Sequence, residues 1–290
     1  SVSEFIRETR SSRLPARVAQ NFHKSLGYRV SRSEENSWYR SWAALAEVLQ
    51  ASDIGTAGIL LEYQLPLSSR RVDCILTGVD RAGQRSAVLV ELKQWTHGTA
   101  SSVTDCVTVA GAEALHPSAQ AVAYGDYLRE CHTTFVTGAI PQLHLVVFMH
   151  NLKKLESSAF GENQYSRLLG DAPIYDAANA DTFANYLRET LGGGSGSAIA
   201  DDIDDGEYLP SRALLENAAG AIEGSPAWRL IDEQLQAFLT VRDLVSETRS
   251  NSGRGVVVVT GGPGTGKSVV ALNIVGDAAA NDVSVVHATG

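Results

Sequence analysis

Asp73, Glu91 and Lys93 are charged residues set inside two otherwise apolar runs, Val72 to Val79 and Ala87 to Leu92. A charge leaving an apolar strand is costly unless it is paired or binds a metal. The runs are rich in β-branched residues and flank a polar tip, Asp80 to Gln84, the pattern of a β-hairpin with a longer loop. Centring that loop on Ala82 sets Asp73 across from Glu91, and cross-strand partners have Cβ atoms roughly 4.5–5.5 Å apart. Two carboxylates at that spacing can share a divalent cation. Glu91 and Lys93, two apart, share a face, whereas Leu92 points into the core. Hard oxygen donors on a hydrated ion favour Mg2+ or Mn2+ over Zn2+, and such an ion acidifies a bound water. The plainer alternative is an edge strand with a surface Glu–Lys ladder.

Two further groups lie within reach of this hairpin. Gly58 to Leu67 reads as a preceding strand that carries Glu62, either a ligand or an exposed residue of an edge strand. Ahead of it, Trp38, Trp42, Leu45 and Leu49 recur at helical spacing on a helix capped by Asn36 or Ser37, with Glu34 and Glu35 near its start. After the hairpin, Thr96 to Asp105 is a loop long enough to be a flexible flap. His116-Pro117-Ser118 then opens a helix on which Gln120, Tyr124 and Tyr127 share one face. Gln142 to His150 is a buried strand by composition.

The order of these residues resembles the PD-(D/E)xK nuclease superfamily, with Asp73 as the motif Asp, Glu91 and Lys93 as E-x-K, and Val72 in the position of the Pro. The resemblance implies that Asp73 and Glu91 hold Mg2+ or Mn2+ and that Lys93 assists the attacking water. It also suggests an added acid from the first helix, for which Glu35 is the candidate. Gln120 and Tyr124 resemble the Q-x-x-x-Y element of RecB-like nucleases, whose face looks toward the metal and the nucleic-acid backbone.

A second phosphate-directed signal lies near the C-terminal end. Val256 to Thr260, VVVVT, reads as a buried parallel strand running into GGPGTGKS, Gly261 to Ser268, and then into a helix. This is the G-x-x-x-x-G-K-S phosphate loop in its strand-loop-helix context. Gly261, Gly262, Gly264, Thr265 and Gly266 bring backbone N–H groups around phosphates, Lys267 reaches the β- and γ-phosphates of ATP, and Ser268 ligates magnesium. With LIDEQ, residues 230 to 234, the loop resembles superfamily 1 helicases, which implies that Gln234 reads adenine.

Composition sets the frame. The 290 residues suggest one large or two ordinary domains, and 44% hydrophobic residues suffice for real cores. The net charge of −9 does not advertise a nucleic-acid binder, but residues 1 to 32 carry seven basic residues against two acidic ones. That basic arm suits phosphates, or is simply a solvated helix face. Cys74, Cys106 and Cys131 form no C-x-x-C pair, as expected of reduced thiols in the cytoplasm. No apolar run reaches the roughly 18 residues of a membrane helix. Gly192 to Ser197 leads into Asp201, Asp202, Asp204, Asp205 and Glu207, a Gly/Ser-rich and acidic stretch that reads as a flexible linker.

The expected organisation is therefore a nuclease-like domain over 1–191, a linker over 192–208 and an ATPase portion over 209–290. The expected fold is α/β: a PD-(D/E)xK restriction-endonuclease-like mixed sheet flanked by helices, then the start of a RecA-like parallel P-loop domain. VELKQW, HPSAQAVAY, LIDEQ and GGPGTGKS in that order resemble the N-terminal part of bacterial Schlafen-like DNA/RNA helicases. The resemblance implies a metal-dependent nuclease coupled to an ATP-driven motor, with DNA favoured over RNA, a role in repair or phage defence, and a homodimer as one allowed assembly. A nuclease-like module that binds nucleic acid without cutting is the alternative. No Walker B acidic pair, further helicase motif or arginine finger follows the loop before Gly290, so the chain reads as a piece of a longer protein that should not hydrolyse ATP.

Overall fold

A computed structural model describes residues 1–26, 29–65, 70–140, 142–209, 230, 233–251, 254–261, 265–281, 283 and 285. The chain forms two units, one of Ser1–Tyr63 with Arg71–Tyr208, the other of Gln64–Arg70 with Leu209–Gly290. The first unit is mixed α/β. Helices α1 (Val2–Arg10), α2 (Leu14–Leu26) and α3 (Arg32–Ser52) precede β1 (Gly58–Gln64), β2 (Arg71–Val79) and β3 (Arg85–Leu92). A small antiparallel sheet of β4 (Thr99–Ala100), β5 (Cys106–Val109) and β6 (Ala112–Leu115) follows. Then come α4 (Pro117–Cys131), α5 (Thr133–Val136), β7 (Gln142–Met149), α6 (Ser166–Asp171), β8 (Ile174–Asp176), α7 (Ala180–Leu191) and α8 (Ser197–Asp204).

The main sheet runs β1-β2-β3-β7-β8, with β2 and β3 antiparallel and β3-β7-β8 parallel. Its pairs run from Gly78 opposite Ser86 to Cys74 opposite Val90, so the hairpin is centred on Ala82 as its loop chemistry predicts. One step further along this register, Asp73 stands opposite Glu91. Cys74, Leu76, Val88, Val90, Leu92 and Phe148 pack in one core with α1, α3 and α7. Alternation sends Asp73, Glu91 and Lys93 to the other face, where α4 lies. Lys93 N–H donates to the Phe148 carbonyl at 3.0 Å, fixing the end of the central strand where Lys93 emerges.

Several expectations are corrected. The basic N-terminal stretch is not an arm: Val2, Phe5, Ile6 and Leu14 are buried in the core, so α1 and α2 are packed helices. Helix α3 starts earlier than Asn36, because Ser31 accepts the Glu34 N–H at 3.1 Å and caps it. The stretch Thr96 to Asp105 is tied into the small sheet through β4 rather than being a plain flap. Cys74, Cys106 and Cys131 are buried free thiols.

The stretch 192–208 is not a linker either. Its glycines serve close approach: a Cβ on Gly196 would overlap the Thr77 carbonyl oxygen. Thr77 Oγ1 donates to the Gly196 carbonyl at 2.9 Å, and α8 buries Ile199, Ala200 and Ile203. The Ile203 carbonyl accepts from Tyr63 Oη at 3.1 Å, and Asp202 pairs with Arg85. The first unit therefore extends to Tyr208.

In the second unit, helices Glu233–Asn251 and Lys267–Ala280 are described. Val256 to Thr260 forms no strand, and Val256 is 88% exposed, which contradicts the buried strand expected there. A parallel strand needs neighbours on its edges and helices over its faces, and among the described residues no strand pairs with it. Residues 210–229 and most of 282–290 lie outside the described residues. No helix among the described residues is long and apolar enough to cross a membrane.

Candidate active site

The site is built on three elements. Strand β2 presents Asp73, the end of β3 presents Glu91 and, just beyond it, Lys93, and α4 presents Gln120 and Tyr124. Lys93 Nζ lies 2.7 Å from Glu91 Oε1 and donates to Gln120 Oε1 at 2.9 Å. Gln120 Nε2 in turn donates to Tyr124 Oη at 3.0 Å. The sequence spacing anticipates this chain of contacts, because Gln120 and Tyr124 are one helical turn apart. Lys93 also stands 5.2 Å from the Trp95 ring centroid.

Asp73 is anchored by the Leu92 N–H, which donates to Oδ2 at 2.7 Å, and it hydrogen-bonds the Glu91 side chain. Burial pushes its carboxyl above the ordinary range, while Lys93, the Leu92 N–H, Arg71 and Glu91 pull the other way. Glu91 is 1% exposed. Paired carboxyls that hydrogen-bond each other in a desolvated place resist ionising together, and a divalent cation is the counter-charge that would relieve them.

Glu62 joins the cluster by a route that periodicity does not reveal. It is buried, and its backbone adopts φ 51° within β1, a left-handed conformation that breaks strand alternation and re-aims the side chain. Its carboxyl is pushed up to about 9, by burial first and Asp73 second, with Glu34 and Glu91 adding and Arg71 opposing. Arg71 Nε lies 3.1 Å from Glu62 Oε2, and the same guanidinium pairs with Glu34. It stacks 4.7 Å above the Phe22 ring centroid. On α3 it is Glu34, not the expected Glu35, that contacts Arg71; Glu35 is partly buried and is not the residue in that contact. Arg71 is the residue that sequence reasoning missed, although its place two before Asp73 put it on the same face.

Gln94 was passed over as well. Its Nε2 donates to the Ser37 carbonyl at 3.0 Å and lies 2.7 Å from Ser37 Oγ and 3.1 Å from Ser41 Oγ, while its own carbonyl accepts from Asn151 Nδ2 at 3.1 Å. These bonds tie the segment after Lys93 to α3 and to the end of β7. His150, just beyond the end of β7, has Nε2 3.2 Å from Ser41 Oγ.

Compared with known proteins, the chain matches no family model, no curated protein and no solved structure.

The donor set has its own limits. Among the described residues no three His, Cys, Asp or Glu side chains come together as a metal-holding group. Two facing carboxylates, Asp73 and Glu91, suit an ion that keeps several waters and needs one or two carboxylates plus substrate phosphate, which is the habit of Mg2+. They do not suit a closed zinc site.

In the second unit, Gly262 and Gly264 lie outside the described residues. Gly266 has φ 83°, and a Cβ there would meet the Gln234 side chain. Gln234 Nε2 donates to the Thr265 carbonyl at 3.1 Å, and Lys267 Nζ donates to the Gly261 carbonyl at 2.7 Å. Lys267 and Ser268 open the following helix, so its N-terminal N–H groups point at the loop.

Proposed function

We propose that the first unit is a metal-dependent nuclease that hydrolyses phosphodiester bonds of nucleic acid, DNA more than RNA, on a PD-(D/E)xK-like scaffold. The observation that carries this reading is the double engagement of Lys93, whose ammonium sits between Glu91 of β3 and Gln120 of α4. Asp73 and Glu91 would hold Mg2+ or Mn2+. The ion, when bound, lowers the pKa of a water and neutralises phosphate charge. Lys93, with its side chain 16% exposed, orients that water and offsets the negative charge that grows on the phosphate. Gln120 and Tyr124 fix the ammonium in direction, and Arg71 limits the repulsion among Glu34, Glu62 and Asp73.

The second unit, on this proposal, is a P-loop portion that binds the phosphates of ATP through Lys267 and Ser268, with Gln234 against the loop. In a longer polypeptide it would belong to the motor that feeds the nuclease.

The test is a substitution series on labelled DNA and RNA with Mg2+ or Mn2+. Asp73→Ala, Glu91→Ala and Lys93→Ala should each reduce cleavage by 100-fold or more. Cleavage surviving all three rejects the assignment. The second reading, a module that binds without cutting, is favoured by the absence of a three-ligand group among the described residues. Metal-independent binding with no product would select it.

A further inference from the structure

We infer that Trp95 is a positioning residue for Lys93, its indole face holding the ammonium beside Asp73 and Glu91 when a divalent cation takes up the charge of those carboxylates. The catalytic consequence rests on the nuclease reading of the site; the contact itself does not. Lys93 Nζ lies over the Trp95 ring, 5.2 Å from its centroid. That is inside the roughly 6 Å over which an aromatic face attracts a cation.

The placement of Trp95 follows from an alternation that continues past the end of β3. Leu92 is buried in the core shared with α3, and the Gln94 side chain turns to Ser37 and Ser41 of α3. Lys93 and Trp95 take the opposite side. Trp95 is half-buried, and its ring stacks on Phe160 of the connection between β7 and α6, with centroids 6.0 Å apart and planes at 24°. Phe160 is fully buried, and its carbonyl lies 3.1 Å from Nε2 of His116, the residue that caps α4. Gln120, which accepts from the same ammonium, rides on α4. Both uncharged supports of Lys93 are therefore tied to one buried pair, His116 and Phe160.

An uncharged support is what the chemistry of this site requires. The ammonium lies 2.7 Å from Glu91 Oε1, and its charge also acts on the Asp73 carboxyl. A divalent cation shared by these carboxylates would compete with the ammonium for them and repel it. A lysine on its flexible four-carbon stem then swings into solvent unless something else holds it. An indole face attracts the ammonium and offers no hard oxygen to the metal, so it holds Lys93 without competing for the ion.

The experiment is a double-mutant cycle on the full chain, followed by urea unfolding in EDTA, with Trp95→Leu, Lys93→Met and the pair. Trp95→Leu alone removes the stack on Phe160 as well as the ammonium contact, and the cycle isolates the second. The coupling expected is about 3- to 30-fold in the unfolding equilibrium constant, the span of a partly desolvated cation–π pair. Trp95→Phe, which keeps a ring over Phe160, should retain part of it. In Mg2+, Trp95→Leu should lower kcat by about 10-fold and move KM and the half-saturating metal concentration by less than about 2-fold, with Trp95→Phe recovering most of the rate. Additive effects in EDTA, an unchanged kcat in Trp95→Leu, or an equal loss in Trp95→Phe would overturn the inference. Failure of the nuclease reading shows separately, as absent cleavage by the wild type in Mg2+, and the cycle in EDTA then decides the Lys93–Trp95 contact by itself.

Discussion

Gln120 is the residue on which the geometry of Lys93 depends, since it accepts from Nζ and donates to Tyr124 from the other end of the same amide. Gln120→Ala removes both bonds at a buried position. It should destabilise the protein by about 1–3 kcal/mol, read by urea unfolding. The cleavage rate should fall by 10-fold or more while the metal concentration for half-maximal effect changes little. Tyr124→Phe loses the phenolic oxygen that accepts from Gln120 and should cost about 1 kcal/mol. An equal loss of metal affinity in Gln120→Ala would show that Gln120 acts on the ligands and not on the ammonium. At this scale the sequence was legible where a spacing rule applied: Asp73 opposite Glu91, Glu91 level with Lys93, Gln120 below Tyr124. It was illegible where the backbone left its regular path. Glu62 at φ 51° and the choice of Glu34 over Glu35 are set by tertiary contacts with Arg71, which no local pattern encodes.

Helix α4 carries Gln120 and Tyr124, and its start is held by His116. The imidazole is fully buried: Nδ1 accepts the Ser118 N–H at 3.2 Å, Nε2 lies 3.1 Å from the Phe160 carbonyl, and the ring stacks 4.4 Å from Tyr165. Burial lowers its pKa to about 4, against 6.5 for the free side chain. In the window between those values the unfolded chain holds a proton that the native state refuses, so stability rises with pH there. The contribution is complete above pH 6.5 and is lost as pH falls toward 4, about 3 kcal/mol in all. Protonation would also turn Nδ1 from acceptor to donor against the Ser118 N–H. Thermal midpoints from pH 7 to 4 should therefore fall in the wild type and fall less in His116→Asn. The opposite slope would reject the neutral buried ring.

A second element-scale expectation concerns α8. Because a Cβ on Gly196 would overlap the Thr77 carbonyl oxygen, Gly196→Ala should detach α8 from β2 and destabilise the unit by about 2 kcal/mol or more. A change under about 0.5 kcal/mol would mean that α8 adds nothing to the fold. Composition alone reads Gly192 to Ser197 as a flexible tether, since Gly-rich segments are flexible by default. Here the same glycines permit backbone contact with β2, so the acidic stretch becomes a folded helix. The reverse holds for Val256 to Thr260, where β-branched residues promise a strand but none of the described residues supplies a partner strand.

At the scale of the whole molecule, the proposal puts two phosphate-directed sites on the two separate units. Each should answer to its own ligand. In nucleotide-free buffer, Mn2+ should raise the thermal midpoint of the wild type and of Lys267→Ala but not of Asp73→Asn. ATP with magnesium should be bound by Asp73→Asn and not by Lys267→Ala, as read by titration calorimetry. Loss of the Mn2+ response in Lys267→Ala would contradict the assignment of the metal to Asp73 and Glu91. The hairpin, the strand before it, α3, α4 and β7 were legible from hydrophobic period and turn chemistry, and the mixed sheet from the resemblance; α1, α2, the small sheet and α5 to α8 were not. The extension of the first unit to Tyr208 was not, because it depends on bonds between residues far apart in the chain, such as Tyr63 to Ile203.

The most direct measurement is cleavage of labelled single- and double-stranded DNA and RNA by the wild type with Mg2+, Mn2+ or EDTA, beside Lys93→Ala. The account predicts a product with either metal, none in EDTA, and a loss of 100-fold or more in Lys93→Ala, whose Glu91 and Gln120 no longer have an ammonium between them. Product in EDTA, or undiminished product from Lys93→Ala, would contradict it.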